Sequence, residues 1–461
     1  ITAGAIDGSD TVSLGIDLTT TGTNKGIKTT GGTNTLTVTE TGRITTVGYG
    51  ADGIRNTGND NDNETTISGS IKTTGDIAYG IVNVGASNTT TVTGSITTGG
   101  TASYGIFNGG ASNETTVTGS ITTVGHRASG IYNHGDDNKI TISGTVKATG
   151  ASSAALYNKG GSGNSFTLNE GATIIGDILA DGNATNSKLI FNLGASTSYA
   201  YSVSGRGEGT TEGKWDFDDL DGRSEVVTTT GTGCDTTITG ASNDTCNLVT
   251  AVGNGNTEAQ GELQFGMNSS MIGSLALGSN TAGSAEVMSF AQTPQSNAWA
   301  KIYGGSSKRA VSATQSSFDS SNRGLTIGTP VAINDTLNVD LVFNTSRTSL
   351  DIGLTKDQEI TANSYNVGAV LRDLAPASGW GVDAYGFVGR NSYDGKRKVM
   401  NNQEATGSET VTASYSGTEV LVGVDAQYSQ AIDETLNFTS GVNASLSNEK
   451  IGAYSESKYY S

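Results

Sequence analysis

The sequence is poor in the residue types that most often carry catalytic or metal chemistry. Its 461 residues include only 2 His, 2 Cys and 3 Pro, and acidic residues outnumber basic ones by 44 to 26. The formal net charge of −18 argues against nucleic acid as a partner, because a polyphosphate needs Lys and Arg to neutralise it. No run of 18 apolar residues occurs, so no transmembrane helix is predicted.

Motifs for enzymatic chemistry are scarce as well. The Gly-Asp-Ser-Gly signature is missing, and so is a Gly-x-Ser-x-Gly elbow between a strand and a helix. His134 could pair with Asp136, but no activated serine accompanies them. The acidic stretch at 213–220 departs from the spacing of an EF-hand loop at Leu220. The sequence therefore predicts no catalytic, cofactor-binding or metal-binding residues.

Glycine, by contrast, is abundant at 66 residues, and a motif of the form Gly-Ile-x-Asn begins at Gly80, Gly105 and Gly130. The sequence thus repeats every 25 residues. One unit has too few apolar side chains to form a core alone, whereas stacked units can bury a shared core. The repeat, rich in β-branched residues, predicts a right-handed parallel β-helix over residues 1–205.

The fixed spacing places apolar side chains in three interior columns. The first column contains Ile81, Ile106, Ile131 and Leu156, the second contains Val92, Val117, Ile142 and Leu168, and the third contains Ile96, Ile121 and Val146. Asparagine also recurs in register, at Asn83, Asn108, Asn133 and Asn158. We expect these asparagines to occupy tight left-handed corners and to form hydrogen-bonded ladders.

The repeat decays after Gly171, and residues 206–256 are expected to form a junction that caps the solenoid with Trp215 and Phe217. This stretch contains Cys234 and Cys246. A disulfide between them is favoured because exposed thiols are poorly tolerated outside the cytosol, and two unpaired thiols are the alternative.

Residues 257–277 have helical spacing, since apolar residues recur every four positions from Ala259 to Leu275. Three glycines interrupt the pattern, and each costs about 1 kcal/mol relative to alanine in a helix. A thin helix of this kind suits a narrow pore. We therefore expect the linker at 257–295 to thread a barrel.

From about residue 296 to residue 461, apolar and polar residues alternate along seven predicted strands. Short connections near 333–335, 376–379 and 432–434 alternate with long ones at 306–322, 347–361 and 392–415. Short turns on one rim and long loops on the other are typical of an outer-membrane β-barrel, and a soluble β-sandwich is the alternative. The predicted fold class is thus all-β: a parallel β-helix, a thin helix and an incomplete antiparallel barrel.

The segment from Trp299 through Lys301 and Tyr303 to Gly305, which follows the predicted helix, resembles the opening strand of the autotransporter translocator domain. The order of repeat passenger, junction, threaded helix and barrel also resembles that family over nearly the whole chain. The resemblance implies type V secretion in a Gram-negative bacterium. The barrel, placed in outer-membrane lipid by the barrel assembly machinery, would anchor the chain while the passenger crosses to the cell surface.

Two features depart from the family pattern. The family barrel has about twelve strands, in keeping with the even counts of bacterial barrels, so seven strands and the lack of a signal peptide suggest that both ends are missing. Some members cleave themselves at paired asparagines, but Asn268 is followed by Ser269, so this self-cleavage is not carried over to the present chain.

For the passenger, the sequence favours a non-enzymatic adhesin or stalk that meets a surface ligand of unknown identity. The alternative is an exported β-helical enzyme that degrades polysaccharides. Such an enzyme needs clustered aspartates and a basic residue on one face, and no such cluster repeats in register.

Overall fold

In the computed structural model, the chain forms two compact units. The first comprises Ile1–Asn254 together with Lys398–Glu409, and the second comprises Gly255–Arg397 and Thr410–Ser461. No helix occurs within the parts of the chain that the structure describes, and none there is long and apolar enough to cross a bilayer. Those parts are residues 5–7, 10–57, 62–181, 183–193, 198–206, 215–219, 224–230, 247–253, 288–289, 298–310, 317–334, 337–352, 358–372, 374, 380–431 and 437–452.

The first unit is a solenoid of parallel strands with three faces. Face A contains β1 (Ala5–Asp7), β4 (Ile27–Thr30), β7 (Ile54–Thr57), β10 (Ile81–Asn83), β13 (Ile106–Asn108), β16 (Ile131–Asn133), β19 (Ala154–Asn158), β23 (Asp177–Asp181) and β26 (Ser198–Arg206). Face B contains β2 (Thr11–Leu14), β5 (Thr35–Val38), β8 (Glu64–Ile67), β11 (Thr89–Val92), β14 (Glu114–Val117), β17 (Lys139–Ile142), β21 (Ser165–Asn169), β25 (Ser187–Asn192) and β27 (Trp215–Asp219). Face C contains β3 (Asp17–Thr21), β6 (Arg43–Val47), β9 (Ser70–Thr73), β12 (Ser95–Thr98), β15 (Ser120–Thr123), β18 (Thr145–Ala148) and β22 (Thr173–Ile175).

The core of the solenoid lies between the three faces and follows from the repeat. Each strand pairs with the strand one repeat later, so that identical positions lie side by side, as Ile81 does with Ile106. Burying each isoleucine or valine contributes about 1.5–3 kcal/mol, and consecutive coils share this core. The prediction of a parallel β-helix followed by antiparallel strands is confirmed.

Two ladders of buried asparagine side chains run through this core. In the first, Asn56 donates to Asn83 at 2.8 Å and Asn83 donates to Asn108 at 2.9 Å. The second, which the sequence analysis did not identify, links Asn63 to Asn88 at 3.0 Å and Asn88 to Asn113 at 2.9 Å. Each ladder satisfies amide groups that would otherwise cost free energy when buried.

The asparagines of the first ladder do not form the left-handed corners that the sequence analysis assigned to them. They end strands of face A and point into the core. The left-handed backbone falls instead at two other turns of each repeat. One turn has Ile77, Ala102, Arg127 and Ser152 at φ between 51° and 56°, and the other has Ser87, Ser112 and Asp137 at φ between 54° and 58°.

Two further pairs of strands complete the first unit. β20 (Gly161–Ser162) and β24 (Ala184–Thr185) pair in parallel. β28 (Ser224–Thr230) and β29 (Asn247–Gly253) form an antiparallel pair, and β29 also pairs with β26. In the predicted junction, Trp215 lies on the last strand of face B, where its ring contacts Phe166 edge-on at 5.1 Å. This stretch therefore adds a strand to the solenoid beyond residue 205.

The second unit is an antiparallel sheet in which neighbours in sequence are neighbours in space. Its strands are β30 (Met288–Ser289), β31 (Trp299–Arg309), β32 (Phe318–Asn334), β33 (Leu337–Ile352), β34 (Gln358–Arg372), β35 (Trp380–Met400), β36 (Ser408–Ala431) and β37 (Asn437–Ile451). The last seven correspond to the seven predicted strands. They are longer than predicted, because backbone pairing continues through most of the segments assigned to long connections.

Side chains alternate between the two faces of this sheet. Ile327, Leu341 and Phe343 project outwards and are 40–53% exposed, whereas Thr326 and Asn344 on the inner face are fully buried. The inner polar side chains pair with each other, as where Asn344 donates to Thr326 at 2.8 Å. An apolar outer face and a polar inner face are the arrangement of a membrane barrel wall.

Candidate functional sites on the two units

The predicted passenger column is part of the solenoid core. Ile81, Ile106, Ile131 and Leu156 are fully buried and follow one another in register along face A. None of these side chains is available to a ligand. A functional surface on this unit must therefore be sought among the residues that alternate with them and point outwards.

An aromatic ladder on the outer side of face A is such a surface, and the sequence analysis did not identify it. Tyr79 stacks on Tyr104 with ring centroids 5.0 Å apart and planes 4° apart, and Tyr104 stacks on Tyr132 at 4.3 Å. Phe107 contacts all three rings, and Tyr157 meets Tyr132 edge-on at 5.2 Å. The 25-residue spacing of Tyr79 and Tyr104 was the signal that could have revealed it.

The five rings of the ladder are half-buried, because neighbouring rings cover one another's faces. Desolvation by burial raises the pKa of Tyr104 to about 12, and the neighbouring Tyr79 adds to that shift. Burial also raises the pKa of Tyr132. These phenols stay neutral at any physiological pH and can donate hydrogen bonds.

Ion pairs lie at both ends of the ladder. At one end, Arg55 Nε lies 2.7 Å from the buried Asp52 carboxylate, which also accepts a hydrogen bond from the Tyr79 backbone. At the other end, Lys159 Nζ lies 2.7 Å from Asp181 Oδ2. The aromatic rings of the ladder, which carry no charge, therefore lie between two ion pairs.

The segment Lys398–Glu409, which includes the connection between β35 and β36, belongs to the first unit. The side chain of Asn402, only 1% exposed, donates to the carbonyls of Gly176 and Ser202 at 3.1 and 2.9 Å. It also accepts from the Ser202 backbone at 2.9 Å, and Gly176 donates to the Asn402 carbonyl at 2.7 Å. These bonds satisfy backbone groups of Gly176, which follows the last strand of face C, and of Ser202 on β26.

The predicted first barrel strand is β31, where Trp299, Lys301 and Tyr303 all lie on the inner face. Lys301 Nζ lies 5.5 Å from the centroid of the Trp299 ring, and Trp299 Nε1 donates to Asp340 Oδ2 at 3.1 Å. Tyr303 is buried and accepts from Asn344 at 2.8 Å. The inward-facing side chains of Trp299 and Tyr303 thus link β31 to β33.

Asp340 also belongs to a buried charge cluster on this inner face. Arg372 Nη2 lies 2.9 Å from Asp340 and Arg372 Nη1 lies 2.8 Å from Asp383. One guanidinium group therefore bridges two carboxylates and links three adjacent strands. Removing one partner of such a buried cluster typically costs about 3–5 kcal/mol, because it leaves a buried charge without its partner. The packing of these three strands therefore depends on the intact cluster.

Two predicted features fall outside the described residues: the cysteine pair Cys234 and Cys246, and the helix at 257–277 within the linker 257–295. Within the described parts, no group of three or more His, Cys, Asp or Glu side chains is arranged to hold a metal ion.

The combination of folds defines the class of protein. A parallel solenoid precedes antiparallel strands that have one apolar and one polar face, which is the organisation of a β-helical passenger ahead of a membrane barrel. Residues 298–460 match the family model Autotransporter beta-domain, and this segment belongs to that family. Outer-membrane barrel architecture follows from the family. No curated protein and no solved structure matched the chain.

Proposed function

We propose that the β-domain at 298–460 inserts in the outer membrane and delivers the solenoid to the cell surface, where the solenoid acts as a non-enzymatic adhesin or stalk. The family match, which comes after the solenoid in the chain, is the observation that carries this proposal. Insertion is supported by the outward side chains of the second unit, which include Val367, Val388 and Val422 at 47–54% exposure. The partners are outer-membrane lipid, the barrel assembly machinery and a ligand on another cell or surface.

The repetition of the solenoid surface supports the non-enzymatic role. Thr91, Thr116 and Thr141 occupy the same outward position on successive coils of face B. Ser95 and Ser120 do the same on face C. A surface that presents the same groups in each coil suits extended contact with a partner, whereas catalysis needs one constellation of different groups.

The test is adhesion by intact cells. A non-adherent Gram-negative host carrying the full chain should bind to surfaces or to other cells, whereas cells carrying a matched chain without residues 1–254 should not. The alternative, a polysaccharide-degrading passenger, predicts release of reducing sugar when the displaying cells are supplied with polysaccharides. Sugar release without adhesion would contradict the proposed role.

A further inference from the structure

Two arginines face each other on the outer surface of the second unit. Arg323 on β32 and Arg347 on β33 are directly opposite partners in the antiparallel ladder. Both are exposed and share the outward face with Ile327 and Phe343. They lie at the end of the apolar band that is nearer the β31–β32 and β33–β34 connections. The sequence analysis assigned these to the rim with long loops, which is extracellular in barrels of this type.

This arrangement is unfavourable for two cations alone. Directly opposite residues in an antiparallel pair have Cβ atoms about 4.5–5.5 Å apart, and like charges there destabilise the sheet. Elsewhere on the sheet, Lys308 lies 2.8 Å from Asp319 and Lys396 lies 3.1 Å from Glu359. Arg323 and Arg347 form no ion pair with any residue in the described part of the chain. The pair therefore has a positive charge that an external anion can neutralise.

The groups around the pair suit a phosphate. Ser321 and Ser349, which are also directly opposite each other, occupy the next outward positions on the same two strands. Together with Asn322 and the two arginines, they line one surface depression. Guanidinium groups bind phosphate oxygens through paired N–H donors, and serine hydroxyls supply further donors to the same kind of group.

A third arginine and an aromatic residue extend this basic edge. Arg390 on β35 is exposed and lies directly opposite Tyr365 on β34, which is 56% exposed. Tyr365 is in turn opposite Thr345, two residues from Arg347. Tyrosines are enriched where a membrane meets water, so Tyr365 marks the level of the lipid headgroups.

We propose that Arg323 and Arg347, with Ser321 and Ser349, bind the phosphate of an anionic lipid in the outer leaflet. The inference rests on the membrane insertion proposed above. The apolar side chains Ile327 and Phe343 lie two outward positions further along the same two strands. They favour a lipid over free phosphate, because acyl chains attached to the bound headgroup would cover them. Arg390 provides a third positive charge, which suits a headgroup that carries two phosphates.

The test uses the full-length chain in neutral detergent and a diphosphorylated glycolipid as the probe, with bound lipid counted by native mass spectrometry. The double variant R323Q/R347Q should bind this lipid at least about tenfold more weakly, because charge-assisted hydrogen bonds are lost. The control variant K308Q/K396Q changes two outward cations that already have acidic partners, and it should bind like the parent. If the double variant does not fold, the single variants R323Q and R347Q should each show a smaller loss.

Three further measurements distinguish lipid binding from the alternatives. The dephosphorylated glycolipid should bind the parent as weakly as the diphosphorylated lipid binds the double variant. Inorganic phosphate at the same concentration should not displace the lipid, and displacement would mean a free-phosphate site instead. Equal lipid binding by parent and double variant would overturn the proposal. Co-flotation of the parent with phosphatidylcholine vesicles reports insertion separately, so its failure would count against the proposed function alone.

Discussion

The substitution Ile106→Ala tests the stacked core of the solenoid. Ile106 is fully buried and lies in register between Ile81 and Ile131. The surroundings are tight, since a Cβ at the neighbouring Gly105 would lie 2.3 Å from Ile121 Cγ2. Truncating such a side chain costs about 2–5 kcal/mol, and we expect about 4 kcal/mol here because coils on both sides hold the cavity open. Ile106→Val should cost about 0.5–1.5 kcal/mol.

Hydrogen exchange of peptides from residues 89–123 measures this effect within the intact chain. A loss of about 4 kcal/mol in local opening free energy corresponds to a roughly thousandfold faster exchange of the protected amides. The exposed Thr118→Ala on the same coil is the control and should change stability by less than about 0.5 kcal/mol. Exchange in Ile106→Ala within about threefold of the parent would refute the placement of this column.

Three other predictions use the same unit. Asn108→Ala removes an acceptor of the first asparagine ladder. Hydrogen exchange in the two coils that Asn108 links should therefore become faster by an amount equivalent to about 1–3 kcal/mol. Exchange at the parent's rate would contradict the ladder. The pKa of Tyr104 is raised to about 12 from 10.0 in the unfolded chain, so the unfolded state loses this proton first as pH rises. The unfolding free energy should therefore fall from pH 10 to 12, and it should fall less steeply in Tyr104→Phe. An equal slope in the parent and the variant would argue against the burial of Tyr104. Alkylation of the exported protein without reductant should leave Cys234 and Cys246 unmodified, and two modified thiols in the mass spectrum would rule out their disulfide.

The fold was predictable because its determinants are local and periodic. A spacing of 25 residues places Ile81, Ile106 and Ile131 in one column whatever the details of the turns. Likewise, the dyad alternation of Val420 and Val422 with Glu419 and Gly423 indicates a sheet with two different faces.

The features that were missed depend on register and on contacts between distant segments. Tyr79 and Tyr104 belong to one ladder with Phe107 only once the path of each coil is known. The hydrogen bonds of Asn402 to Ser202 on β26, 200 residues earlier, have no signal in the sequence pattern. The left-handed turns were misplaced for a related reason: asparagine tolerates that backbone, but its amide is needed in the core, so Ser87 and Ser112 adopt it instead.

Protease accessibility on intact cells tests the central claim most directly. Cells that express the full chain are treated with an external protease, and fragments of residues 1–254 and of residues 298–460 are quantified. Delivery by the β-domain predicts that the solenoid is lost from the cells while the membrane-embedded strands remain, and that a chain without residues 298–460 leaves its solenoid inaccessible. A solenoid protected in intact cells that carry a membrane-inserted β-domain, or one equally accessible without that domain, would contradict the account.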